Sequence, residues 1–155
     1  MKIRSCSGDE LLAIAPCIAQ SKGPWSLSEL QKVLVKPQYA LHLIQAENNE
    51  PGTAAGFLLY TVVADECNLL YVEVMRQYRK KGYGSALMAE LIAQAHSKHC
   101  HAIFLEVRRS NQGAIALYES LEIVISATRT AYYPALAGNP DQDREDAVLM
   151  ILNLV

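Results

Sequence analysis

Residues 79–85 read Arg79-Lys80-Lys81-Gly82-Tyr83-Gly84-Ser85, and this stretch separates an apolar strand-like segment from an amphipathic helix-like one. Glycines let a ligand approach the backbone closely, a helix N-terminus presents unpaired N–H groups, and neighbouring cations favour phosphate. The stretch therefore predicts an anion-binding turn. It lacks the GxxxxGK[ST] order of a Walker loop, and a solvated basic turn that begins a helix would fit the same residues.

The patterns on both sides of this turn predict one mixed α/β domain over residues 1–155, with the element order β-α-α-β-β-β-α-β-α-β-β. Strands are predicted at Lys2–Cys6, Tyr39–Ala46, Ala54–Ala64, Asn68–Met75, Ala102–Val107, Glu122–Tyr133 and Ala147–Leu152. Helices are predicted after Ser7, from Ser26 to about Val35, from Gly82 to His96, and through Ala114–Leu121. Strands two to four should form an antiparallel meander. The apolar run Ala102–Val107 predicts a strand covered on both faces, and turns are predicted at Asn48–Gly52 and Gly138–Asp141.

Composition excludes several classes of protein. Fourteen Lys and Arg against sixteen Asp and Glu give a formal net charge of -2, which argues against a globally basic nucleic-acid binder. Hydrophobic residues make up 51% of the chain, too many for a disordered protein. The longest apolar run, Ala54–Ala64, is much shorter than the roughly 20 residues of a bilayer-spanning helix. Four isolated cysteines without a CxxC pair favour a reduced, cytoplasmic protein. The charge balance and the short apolar run predict no direct binding to nucleic acid or to a membrane.

Two carboxylates lie inside apolar strand segments, Glu106 in Phe104–Val107 and Glu73 in Tyr71–Val74. Burying a carboxylate is costly unless it is paired, and burial raises its pKa toward the range that suits a general base. Both glutamates are therefore candidate bases. For Glu106 the alternative is a structural ion pair with Arg108 or Arg109, the two cations that follow it in the sequence.

Other polar residues allow both a structural and a chemical interpretation. Tyr118, on the apolar face of the last predicted helix, is a core aromatic residue or a proton donor. Asn111, just before that helix, is its N-cap or a ligand-binding amide. The group His96, His99, Cys100 and His101 has spacings that suit metal ligands, but no second cluster would complete a site, so no metal is predicted.

Taken in order, these segments resemble the GCN5-related N-acetyltransferase (GNAT) superfamily. The resemblance rests on the strand ending Val72-Glu73-Val74, on Arg79-x-x-Gly82-x-Gly84, and on the helix, strand and second helix that follow. A narrower resemblance, to bacterial ribosomal-protein-alanine N-acetyltransferases, rests on Pro24-Trp25-Ser26, Asp65-Glu66, Leu105–Arg108, Ser110-Asn111, Ala114–Leu121, Tyr132-Tyr133-Pro134 and Arg144–Ala147. Those enzymes acetylate the N-terminal alanine of a small-subunit ribosomal protein.

The resemblance implies acetyl-CoA as the acetyl donor, no metal, and a protein or peptide N-terminus as the partner. It implies Glu106 as proton acceptor and Tyr118 as proton donor. The backbone of residues 79–85 would hold the pyrophosphate, and residues 72–74 would lie along the pantetheine. The implied cofactor-binding residues are Val72, Glu73, Val74, Arg79, Lys80, Lys81, Gly82, Tyr83, Gly84, Ser85 and Asn111.

Three departures from the family pattern leave alternatives open. Glu122-Ile123 stands where Gly-Phe is usual, Thr130-Ala131 weakens the polar pattern before the tyrosine pair, and Glu73 replaces a small residue and stays an alternative base. Two other functions remain: an acetyltransferase for a small amine, served by Glu66 and Glu73, and a non-catalytic acetyl-CoA-binding module. The acidic residues Asp141, Asp143, Glu145 and Asp146 could attract a basic peptide or form a solvated loop.

Overall fold

The structure is a computed structural model that describes residues 1–21, 23–46, 53–135 and 144–154. Within these ranges seven strands form one mixed sheet in the order β1-β2-β3-β4-β5-β7-β6. The strands are β1 (Lys2–Ser5), β2 (Tyr39–Gln45), β3 (Gly56–Val63), β4 (Glu66–Val74), β5 (Ala102–Arg108), β6 (Val124–Tyr133) and β7 (Glu145–Asn153). The helices are α1 (Ala15–Gln20), α2 (Leu27–Val33), α3 (Tyr83–Ser97) and α4 (Gln112–Ser120).

The predicted element order and the antiparallel meander of β2, β3 and β4 are confirmed. The first predicted helix differs in detail, because it begins as a 3-10 helix over Gly8–Ile14 and becomes α-helical only at α1. Pro16 lies in the first turn of α1, where its missing N–H costs no helical hydrogen bond. A second 3-10 helix, Arg76–Tyr78, was not predicted. The predicted turns Asn48–Gly52 and Gly138–Asp141 lie outside the described residues.

Two apolar clusters cover the two faces of the sheet. The first joins α3 and α4 to the sheet through Leu58, Leu69, Leu87, Leu91, Leu105, Val107 and Ile115. The second joins the N-terminal helices to β2 and β3 through Leu11, Ile14, Leu30, Leu41, Leu43, Phe57 and Leu59. The buried members of the second cluster include no described residue of β5, β6 or β7. The sheet face opposite α3 and α4 therefore carries its helices at the β2–β3 end.

This arrangement corrects the prediction that β5 is covered on both faces. Along β5, Leu105 and Val107 are buried in the α3–α4 cluster, whereas Phe104, Glu106 and Arg108 alternate with them and are more exposed. The apolar run indicated two covered faces, but the N-terminal helices do not extend over this part of the sheet. Among the described residues, no helix is long and apolar enough to cross a membrane.

β4 leaves its neighbour β5 part-way along the sheet. The two strands pair in parallel only where Glu66–Asn68 meets Ala102–Phe104, while β4 stays paired with β3 along its whole length and β5 continues against β7. The Met75 N–H donates to the Ala55 carbonyl at 2.8 Å, on the β3 side. Because peptide groups alternate in direction along a strand, those of Val72 and Val74 face the gap, here called the β4–β5 opening.

A β-bulge at Leu70 changes which side chains of β4 face each side of the sheet. Before the bulge, Cys67 and Leu69 pack in the α3–α4 cluster; after it, Val72 and Val74 pack there. Tyr71 packs instead against the cluster of the N-terminal helices. The side chains of Tyr71 and Glu73 therefore face the same side of the sheet as Glu106.

α4 ends in a left-handed turn at an unusual residue. Glu122 has φ 65°, and its N–H donates to the Glu119 carbonyl at 3.0 Å. The Ile123 N–H donates to the Tyr118 carbonyl at 3.1 Å, and the Ile123 side chain is buried. This hydrogen bonding closes a helix in the way that glycine usually does. The Glu122-Ile123 departure thus keeps the turn but places a side chain in a strained conformation.

Replacing Glu122 with Gly should raise the free energy of unfolding by about 1 kcal/mol, because glycine adopts positive φ without the steric penalty of a Cβ. Chemical denaturation measures the change. Glu119→Gly is the matched control: the same side chain is removed at a helical residue, and stability should fall by up to about 1 kcal/mol. A loss of stability in both variants would contradict the explanation.

Candidate active site

The turn at residues 79–85 begins α3 with backbone groups suited to an anion. Gly82 caps the helix with φ 90°, and Lys80 is also left-handed at φ 59°. The Ala86 N–H donates to the Gly82 carbonyl at 3.0 Å, so the N–H groups of residues 83–85 lie in the first turn, before the α-helical bonding begins. The Arg79 N–H, in contrast, donates to the Arg76 carbonyl at 3.2 Å.

The basic side chains of this turn bind mostly to the protein itself. Arg79 donates from Nη2 to Glu73 at 2.8 Å and from Nε to the Val74 carbonyl at 2.9 Å. Lys81 donates to the Gln77 carbonyl at 2.9 Å. The predicted basic residues do lie together in this turn, but the side chains of Arg79 and Lys81 bind neighbouring protein groups and stabilise the turn. An anion would therefore meet the backbone and Lys80 first.

Glu73 is held through both carboxylate oxygens. Oε1 accepts from Arg79, and Oε2 accepts from the Tyr71 hydroxyl at 2.9 Å. The side chain is only 11% exposed. Burial, more than any other cause, raises the pKa of Tyr71 to about 12, so the phenol keeps its proton at neutral pH. Because both of its oxygens are already hydrogen-bonded, Glu73 is poorly placed to act as a general base toward a bound substrate.

Glu106 is the more accessible of the two candidate bases, with its side chain 32% exposed on the face of β5 that no described helix covers. Its carboxylate lies 3.5 Å from Nη2 of Arg129 on β6. The alternative interpretation, an ion pair with Arg108, is not borne out, because Arg108 pairs with Glu145 at 3.1 Å. Arg129 gave no signal in the sequence, since a single arginine in a strand has no pattern that indicates its partner.

The acidic residues near the C-terminus hold the end of β6. Asp146 accepts from the Ala131 N–H at 2.9 Å and pairs with Arg109 at 3.6 Å, so Arg109 is not the partner of Glu106 either. Arg144 donates to the carbonyls of Ala131 and Tyr132 at 3.0 and 2.8 Å. Glu145 and Asp146 thus have structural partners, while Asp141 and Asp143 lie outside the described residues.

Tyr118 lies on α4 in the α3–α4 cluster and is 5% exposed. Burial first, and then the neighbouring Tyr133, raise the pKa of Tyr118 to about 12. Burial and the negative charge of Glu106 likewise raise the pKa of Tyr133. Tyr133 is therefore near both candidate catalytic residues, Glu106 and Tyr118.

The structure clarifies two of the remaining candidates. The Asn111 side chain accepts from the Ala114 N–H at 3.3 Å, which confirms it as the N-cap of α4; its contact with a cofactor stays a prediction. His101 pairs with Asp65 at 3.2 Å, and Cys100 is buried. In the described ranges no three His, Cys, Asp or Glu side chains are grouped as metal ligands.

Similarity to known proteins agrees with this geometry. The sequence profile described as "Acetyltransferase (GNAT) family" matches residues 11–122. The chain belongs to the GNAT acetyltransferase family. A relative from Escherichia coli K12, named [ribosomal protein bS18]-alanine N-acetyltransferase, is 36% identical over 129 residues, which cover 83% of this chain and 80% of the relative. One from Haemophilus influenzae with the same name is 34% identical, covering 82% and 80%.

Solved structures share the fold of this acetyltransferase. The ribosomal-protein-S18-alanine N-acetyltransferase from E. coli superimposes with a TM-score of 0.83 at 31% identity, covering 98% of this chain and 92% of that one. Naa20 from Chaetomium thermophilum, in complex with a bisubstrate analogue, superimposes with a TM-score of 0.82 and covers 99% of this chain and 86% of that one. At 20% identity this similarity shows the fold alone.

Gly56 of the acetyltransferase lies where β3 approaches β4 most closely. A Cβ at Gly56 would overlap the Glu73 carbonyl oxygen and lie 3.2 Å from the Val74 Cα. Gly56→Ala should therefore lower the free energy of unfolding by about 2 kcal/mol, because the obstructing atoms belong to the backbone. Gly113→Ala on α4, with no atom within 4 Å of the added Cβ, should raise it by up to about 1 kcal/mol. Equal stabilities of the two variants by thermal denaturation would disprove this close approach.

Proposed function

We propose that this acetyltransferase transfers the acetyl group of acetyl-CoA to the α-amine of an N-terminal alanine, on a ribosomal protein of the bS18 type. The observation that carries the proposal is the similarity, across four-fifths of the chain, to relatives named for that activity. The exposed position of Glu106 supports it, since a protein terminus needs an open approach to the base.

Two sets of backbone groups would bind acetyl-CoA. The N–H groups of residues 83–85, at the positive end of the α3 dipole, would hold the pyrophosphate, with the exposed Lys80 nearby. The N–H and C=O of Val72 face the β4–β5 opening, where they would pair with the amides of the pantetheine as a further strand does. The Val74 carbonyl is bound by Arg79, and the Val74 N–H stays available for the thioester carbonyl. Glu73 would contribute through its position on this strand, since its side chain points to the other face.

The chemistry needs a neutral amine and a stabilised leaving group. An α-amine has a pKa of about 7.7 to 8.0, so modest help from Glu106 as a base suffices. The amine nitrogen then forms a bond to the thioester carbonyl carbon, and the N–H of Val74 would stabilise the resulting oxyanion. The C–S bond breaks, and Tyr118, which with a pKa of about 12 is protonated at neutral pH, donates its hydroxyl proton to the thiolate; the proton taken up by Glu106 balances that loss.

The small-amine alternative loses its main support. A cationic small substrate would require unpaired carboxylates, but Glu73 is neutralised by Arg79. Glu66 lies at the other end of β4, where the strand pairs with β5. The non-catalytic alternative was suggested by Glu122-Ile123, and the turn at those residues is formed all the same.

Glu106→Gln and Tyr118→Phe should each lower kcat/KM for an alanine-terminated peptide by about a hundredfold or more, because each removes a proton-transfer group. Release of free CoA thiol measures the rate. Glu119→Gln and Tyr60→Phe are the matched controls, an exposed carboxylate and a buried phenol away from Glu106, and both should retain turnover. Wild-type rates in both catalytic variants would rule out the assigned roles.

Mass spectrometry after incubation with acetyl-CoA distinguishes the acceptor classes. An N-terminal alanine peptide should gain one acetyl group on its α-amine, whereas a peptide with a blocked N-terminus and an internal lysine should gain none. Acetylation of the lysine at a comparable rate would contradict the proposed specificity. CoA binding without acetylation of any peptide would favour the non-catalytic alternative.

A further inference from the structure

A chain of hydrogen bonds runs from the loop after α1 to the anion-binding turn. The Gly23 N–H donates to Oγ of Ser21 at 2.9 Å, and the Ser21 and Tyr71 hydroxyls are 2.5 Å apart. Tyr71 donates its single proton to the Glu73 carboxylate, so it must accept from Ser21. Glu73 also accepts from Arg79. The donor and the acceptor of each hydrogen bond in this network are therefore assigned.

The same two regions are joined by a second contact. The Gln20 side chain, at the end of α1, accepts from the Arg76 N–H at 3.1 Å and donates to the Gln77 side chain at 3.4 Å. Arg76 and Gln77 belong to the 3-10 helix that leads into the anion-binding turn. The end of α1, the open end of β4 and the start of this turn therefore form one connected structure.

We propose that Glu73 is a positioning residue, which fixes Arg79 and with it the start of the cofactor-binding turn. Through Tyr71 and Ser21 it also ties that turn to the face of the sheet that carries the base Glu106, here called the acceptor side. The proposal rests on the proposed function for the identity of cofactor and acceptor. It assigns the base to Glu106 alone.

The geometry accounts for a glutamate at this position. An ionised carboxylate accepts two bonds at once, and charge-assisted bonds of this kind are among the stronger ones in proteins. The bulge at Leu70 turns Glu73 to the Tyr71 side, and the Glu73 side chain is nearly buried, so solvent competes weakly for its oxygens. The Arg79 side chain is 53% exposed, and without this partner only its bond to the Val74 carbonyl would hold it.

Glu73→Gln tests the link to the cofactor. A glutamine has one acceptor oxygen, so it keeps at most one of the two bonds. Calorimetric titration with coenzyme A should show Kd raised about fivefold to tenfold, while kcat for the alanine peptide at saturating acetyl-CoA stays within about threefold of wild type. Glu73→Asp, which keeps the charge on a shorter side chain, should give an intermediate Kd.

Tyr71→Phe and Ser21→Ala test the link to the acceptor side. Each should raise the peptide KM about threefold and leave the Kd for coenzyme A within twofold, and the double variant should resemble either single one because both break the same bond. Tyr60→Phe, which removes a buried hydroxyl bonded to His42 at 3.1 Å, should change neither constant.

Two results would overturn the proposal. A fall in kcat of a hundredfold or more in Glu73→Gln, with unchanged affinity for coenzyme A, would identify Glu73 as the base. If Glu73→Gln kept the wild-type Kd for coenzyme A and the wild-type kcat, Glu73 would have no role in positioning the cofactor-binding turn. Both results differ from failure of the proposed function, which would appear as absence of peptide acetylation by the wild-type protein. Circular dichroism and the Ser21→Ala variant, a small change at a loop, guard against misfolding.

Discussion

The divergence of β4 from β5 after Asn68 is the constraint on which the rest of the structure depends. Backbone N–H and C=O groups need partners, and a sheet that stops pairing in its middle exposes a row of them. In this chain β3 satisfies one side of β4, Arg79 binds the Val74 carbonyl, and the peptide groups of Val72 with the Val74 N–H are left at the opening. An extended amide-bearing molecule is a natural partner for such groups, and the turn that begins α3 follows a few residues later.

The bulge at Leu70 gives this strand end two different surfaces. The valine side chains stay with the apolar core, while Tyr71 and Glu73 turn toward the face that carries Glu106. A regular strand would have continued the alternation of Cys67 and Leu69, and would have turned the carboxylate toward the apolar cluster of α3 and α4. One inserted residue therefore decides whether Glu73 reaches Tyr71 and Arg79 or faces hydrocarbon.

Much of this fold was predictable from the sequence, because local patterns determine it. The glycines at the start of α3, the helical spacing of Leu87 and Leu91, and the capping asparagine at α4 all act within a few residues. The partners of Glu73 and Glu106 were not predictable in the same way. They depend on the bulge at Leu70 and on where the N-terminal helices end across the sheet, and neither has a short-range pattern. The apolar run of β5 predicted two covered faces wrongly, because the extent of the N-terminal helices across the sheet has no signal in that run.

The irregular end of β6 also affects how the protein behaves among other copies of itself. β6 is an edge strand whose residues are almost all exposed, and its apolar Val124 and Ile125 offer a surface on which a second sheet could pair. The left-handed Ala131 and the break in register between Arg129 and Tyr133 interrupt that edge. Such interruptions oppose edge-to-edge association of sheets. The irregular backbone that carries Tyr132 and Tyr133 therefore also opposes pairing of this edge with a second sheet.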